Sequence, residues 1–158
     1  MPDFKPQIVE VPITIGSLDA YTAGDVVGGL LTSDAIRQRE GAGYIAWVRL
    51  VDDDDQAEGY SLYCYYEVPS TIADDAAFAP LEADWTKTFT TITIAAADYD
   101  QAGDDAAVLS DGADAASGKY HFFPVLATGK LNFYLVATTT PDYTDADDLT
   151  MHICVMVQ

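Results

Sequence analysis

The sequence predicts an all-β, single-domain β-sandwich, jelly-roll-like, with about eight strands and one or two short helices. Three observations lead there. Runs rich in β-branched and aromatic residues recur along the whole chain. Gly, Asp and Pro separate them, as turns require. Helical periodicity is confined to one short stretch. At 158 residues the chain suits one domain and buries enough surface to fold without a disulfide or a metal.

The strands follow in order. Residues 8–15 (IVEVPITI) are β-branched, and residues 25–31 (DVVGGLL) are apolar around a glycine pair that marks a bulge or a close backbone approach. Residues 43–51 (GYIAWVRLV) and 59–68 (GYSLYCYYEV) are aromatic and β-branched, and 86–95 (TKTFTTITIA) alternate as a half-buried strand does. Residues 119–127, 130–138 and 149–157 complete the eight. Residues 107–116 read as loop. The helical stretch is 71–87, where Asp74 or Asp75 could cap one turn and Pro80 open a second. Residues 1–18, with three prolines in the first twelve, read as an N-terminal arm and first strand, and 19–158 as the sandwich.

Charge limits the partners. Twenty-six acids face seven bases, a formal charge of −19. Phosphate contacts need clustered Lys or Arg, so nucleic acid and anionic membranes are excluded as expected partners. No run approaches a membrane span of about 20 apolar residues, and no basic segment precedes an apolar one near residue 1. The chain reads as made in a cytoplasm, with Cys64 and Cys154 as buried free thiols.

The motifs carry little chemistry. VDDDDQAEGY (51–60) lacks the acid order of an EF-hand loop and reads as a solvated hairpin tip. A calcium site between loops stays open, with Asp52, Asp54, Asp145 and Asp147 as ligands; no other cofactor is expected. His121 reads as a core or partner-facing residue. His152, Cys154 and Met156 share one strand face, too few ligands for zinc. No nucleophile elbow, zinc-protease or phosphate-loop motif occurs, so no enzyme is expected.

Three stretches carry a resemblance: DAYTAGDVVGGLL (19–31), VPSTIADDAAFAPLEAD (68–84) followed by TITIAAADY (91–99), and TPDYTDADDL (140–149). Together they resemble a family of small structural proteins of tailed bacteriophages, with Asp75 where that pattern carries Asn. The resemblance implies a virion component. Size, acidity and the lack of catalytic motifs narrow it to a capsid decoration, or cement, protein on the outer capsid surface. Its expected partners are the major capsid protein and further copies of itself, a trimer by analogy. Phe4, Ile8, Tyr63, Tyr65 and Trp85 are the expected interface residues, since buried aromatics anchor interfaces. The alternative is a virion-surface or tail adhesin-type module that binds host glycans.

Overall fold

The structure is a computed structural model, described over residues 4–38, 42–102, 105–111, 113–114, 119–120 and 122–158, with side chains over 4–38, 42–99 and 122–158. His121 lies outside the described residues. The strands are β1 (Lys5–Val11), β2 (Val26–Thr32), β3 (Gly43–Asp52), β4 (Tyr60–Tyr65), β5 (Thr88–Ile94), β6 (Asp100–Ala102), β7 (Asp105–Asp111), β8 (Ala113–Asp114), β9 (Lys119–Tyr120), β10 (Phe122–Phe123), β11 (Asn132–Ala137) and β12 (Leu149–Val157). One helical turn, α1 (Glu82–Trp85), and a 3-10 turn (Ala96–Asp98) are the described helices.

Eight of these strands are long, and they form two four-stranded antiparallel sheets. Sheet one runs β1-β12-β3-β7, extended by β6 and by β10 on β3; sheet two runs β2-β11-β4-β5. The pairs are nested: β1 with β12, β2 with β11, β3 with β7, β4 with β5. A long hairpin folded over into two sheets has this order, which is that of a jelly roll. Residues alternate across each strand, and a bulge at Ala46 keeps Ile45 and Val48 on the same face, so Val9, Ile45, Val48, Leu50, Ile153 and Val155 of sheet one meet Leu62, Cys64, Ile92, Phe133 and Leu135 of sheet two in one core.

Several expectations change. The eighth long strand is β7, not residues 119–127. Segment 105–111 (DAAVLSD) is short of β-branched residues, and its pairing with β3 overrides that weak propensity. Residues 119–127 yield only β9 and β10. The first strand starts earlier than expected. Lys5–Val11 pair with β12 over their whole length, so these residues are an edge strand and no free arm. Pro6 fits because the Glu10 carbonyl accepts a hydrogen bond from Asp34 N–H on the open side. By alternation the missing N–H of Pro6 would also face that side, so no ladder bond is lost.

Asp74 and Asp75 cap no helix. Asp75 sits in the left-handed region (φ +57°), which Asp and Asn tolerate best among residues with a Cβ. The glycine pair does mark an irregularity: pairing passes from Leu31↔Phe133 to Val27↔Leu135, leaving three residues of β2 opposite one of β11. Gly28 and Gly29 both have positive φ (+76° and +68°), and a Cβ on Gly28 would lie 2.9 Å from Ile13 Cγ2.

Candidate functional site

The acidic segments 51–60 and 142–148 hold the candidate cation ligands. VDDDDQAEGY is not a hairpin tip. It carries the chain from β3 in one sheet to β4 in the other. Asp52 is buried, not solvated. Its carboxylate accepts hydrogen bonds from Asp54 N–H (3.1 Å) and Ala57 N–H (2.9 Å), and burial raises its pKa. That clasp holds Asp55 and Ala57 at positive φ (+52° and +49°).

The 142–148 segment adjoins this turn, since Asp53 N–H donates to the Asp148 carbonyl (2.8 Å). The Asp148 carboxylate is in turn occupied by Thr144 N–H and Asp145 N–H. Asp145 and Asp147 are exposed. The two acidic segments therefore meet, with the buried carboxylate of each capping backbone amides. Among the described residues no three His, Cys, Asp or Glu side chains gather as a metal site.

Two further aspartates build the surface. Asp74 joins three segments: its carboxylate accepts from Gly16 N–H (2.8 Å), Ser17 N–H (2.7 Å), Gly28 N–H (2.5 Å) and Tyr21 O–H (2.9 Å). The 75–78 stretch then pairs with residues 24–26 through Asp75 N–H to Val26 O, Val26 N–H to Ala76 O and Phe78 N–H to Gly24 O. Tyr21 N–H donates to Pro141 O, and its ring meets that of Tyr143 edge-on. The three motif stretches of the sequence are thus one structural unit.

Asp84 does similar work in α1. Its carboxylate accepts from the Ser70 hydroxyl, Ser70 N–H (3.0 Å), Leu81 N–H (3.1 Å) and Lys87 Nζ (3.0 Å). The Ser70 hydroxyl, followed by Lys87 and the amides, holds its pKa well below the usual carboxylate range.

These anchors lay segment 66–87 across the outer face of sheet two. Beneath it Val26, Tyr65, Tyr134 and Val136 form a second apolar cluster with Leu30, Ile72 and Phe78. Tyr134 O–H donates to Ser70 O (2.5 Å) and accepts from Ile72 N–H (2.9 Å), fastening the segment to the sheet. Tyr65, an expected interface residue, is fully buried here and offers no surface to a partner. Trp85 is 50% exposed at the edge of this cover. Its ring lies 6.1 Å from Tyr63 and 6.4 Å from Phe78, with exposed Val68 and Leu81 on the same segment.

The outer face of sheet one is different. Cross-strand register sets Ile8, Cys154 and Trp47 in one outward row, Pro6, Met156 and Tyr44 in the next, and Glu10, His152 and Arg49 in a third. Phe4 and Phe122 flank Tyr44 at 5.4 Å each. Ile8 is 65% and Phe122 55% exposed. A groove of about 800 Å³ runs beside β1, lined by Lys5, Ile8, Glu10, Asp34, Arg37 and His152. Of the expected interface residues, Phe4 and Ile8 thus lie on this face and Tyr63 and Trp85 on the opposite one. Phe122, Tyr44 and Trp47 belong with Phe4 and Ile8. Strand alternation alone would put Tyr44 and Trp47 on opposite faces; the bulge at Ala46, where pairing passes from Cys154↔Trp47 to Val155↔Ile45, brings them to one face, and no local pattern announces it.

Among the described residues no helix is long and apolar enough to cross a membrane. No protein-family model, curated protein or solved structure matches this chain.

Proposed function

We propose that this protein is a non-enzymatic virion structural protein, a decoration (cement) protein on the outer surface of a phage capsid that bridges and stabilises major capsid subunits. One observation carries the reading: two exposed apolar patches, one centred on Ile8 and Phe122 and one on Trp85, lie on opposite outer faces of a single sandwich. Bridging needs two contact surfaces held at a fixed separation, and a packed sandwich core supplies that rigidity. The aspartates support it further, since buried Asp52, Asp84 and Asp148 and half-buried Asp74 all serve as backbone clasps. The resemblance motifs encode this scaffold. The test compares particles with and without the protein under heat or low salt. Earlier rupture of particles lacking it is expected; equal survival overturns the reading.

A second reading, a virion-surface or tail module that binds host glycans, draws on the half-exposed Trp85 beside Tyr63 and Phe78, because sugar rings stack on such indole faces. A glycan array separates the two. Binding that disappears in Trp85→Ala favours the second reading, and an array without signal removes it.

A further inference from the structure

The two patches differ in the charges around them. The sheet-one face carries Arg49 and is bordered by Lys5 and Arg37, with Glu10 and Asp34 as the acids among its described side chains. In a chain of formal charge −19 this is an unusual concentration of bases, three of the seven. The Trp85 patch has the opposite border. Exposed Glu67 adjoins Val68, and exposed Glu82 lies one helical turn before Trp85; the nearby Lys87 is bonded to buried Asp84. The shapes differ as well. Trp85 stands on a single turn that four hydrogen bonds to Asp84 hold in place, whereas the sheet-one face borders an open groove beside Ile8.

From this complementarity we infer that the two patches also fit one another, so that the Trp85 patch of one copy docks on the Ile8 patch of a second copy of this chain, and the patches left free at the ends of such an assembly are the ones that meet capsid subunits. Trp85 of one copy seats in the groove beside β1 of the next, with Glu67 and Glu82 facing Arg37 and Arg49. A preorganised Trp is the side chain best suited to such an anchor, because little conformational entropy is lost on docking. An arginine against its ring adds a cation–π contact. The contact is heterologous, joining unlike surfaces. Repulsion between copies of charge −19 is largely screened beyond about 8 Å at physiological ionic strength, so the charges that bear on docking are those bordering the two patches. The inference rests on the reading that the protein works by surface contact, and it specifies that copies bridge to one another.

The test is sedimentation velocity near 0.15 M salt on four samples: wild type, Trp85→Ala, Ile8→Asp, and an equimolar mixture of the two variants. Circular dichroism and melting confirm that each variant is folded. If Trp85→Ala disturbs α1, Glu67→Lys with Glu82→Lys replaces it in every sample. Wild type is expected to associate. Each variant alone is expected to weaken association by about tenfold or more. The mixture is expected to form one-to-one pairs, because each variant keeps the half that the other lacks. A monomeric wild type, a variant that associates as wild type does, or a monomeric mixture overturns the inference. Binding of the same samples to particles lacking the protein is measured separately. Variants that are monomeric yet still bind leave the decoration reading standing, and wild type that binds while monomeric overturns self-docking alone.

Discussion

The two sheets of this sandwich treat their outer faces in opposite ways. Sheet two covers its own: segment 66–87 lies across it, pinned midway by Asp74 and near its end by Asp84, and Tyr65 and Tyr134 are buried beneath. Sheet one presents Ile8, Trp47, Tyr44 and Phe122 with no comparable cover from the described residues. An antiparallel sheet with a solvated outer face ordinarily alternates apolar in and polar out. Sheet two departs from that rule and repairs the departure with its own chain. Sheet one departs from it too, and leaves Ile8 and Phe122 exposed. The difference separates an apolar face that the chain largely covers itself, with Trp85 left at the edge, from one that it does not.

Substitutions sharpen this comparison by separating stability from association. The largest effect is expected for Asp74→Ala, which strands four donors from three segments; a loss of about 3–4 kcal/mol in urea unfolding is expected. A change below about 1 kcal/mol would mean that the cover does not depend on this residue.

Asp84→Asn comes next, at about 2 kcal/mol at neutral pH. Here the pH dependence is diagnostic. The folded-state pKa of Asp84 is depressed, so its contribution is complete above the unfolded value of about 3.9 and fades as pH falls toward the folded value. The gap between wild type and variant should therefore narrow below about pH 4, as read by unfolding across an acid series. A gap that stays constant would assign the loss to shape instead of charge.

Tyr134→Phe removes the hydroxyl that joins Ser70 and Ile72 to the sheet, and about 1–1.5 kcal/mol is expected, with faster proteolysis within 66–87. The smallest effect belongs to the bare face. Ile8→Asp should change the unfolding free energy by less than about 0.5 kcal/mol, because the side chain already faces solvent. A larger loss would show that sheet one is not bare at this position.

Much of the fold was legible in the sequence. β12 occupies 149–157 as its alternation implied, and the glycine pair in β2 coincides with a register shift. What escaped has physical causes. β7 is built on Ala and Asp, so its strand character comes from pairing with β3, which no local pattern encodes. Asp52 reads as part of a solvated turn because charge usually signals exposure, and Asp74 as a possible helix cap. The amides that Asp74 binds lie up to 58 residues away, as at Gly16, and no local pattern encodes them. Tyr63 and Tyr65 look alike in sequence. Both point outward from β4, and only the path of segment 66–87 decides that Tyr65 is covered while Trp85 stays half open.

The nested pairing has a mechanical consequence. Lys5 and Val157 sit side by side, since β1 and β12 run antiparallel. Tension applied through these two residues loads the ladder one bond at a time, as a zipper is opened, and peeling should begin at low force. Tension applied between the Ile8 patch and the Trp85 patch instead runs across the sandwich, through the interdigitated side chains of both sheets at once. The same molecule is therefore expected to be compliant along its backbone and stiff from face to face, and stiffness from face to face is the direction that a molecular brace requires.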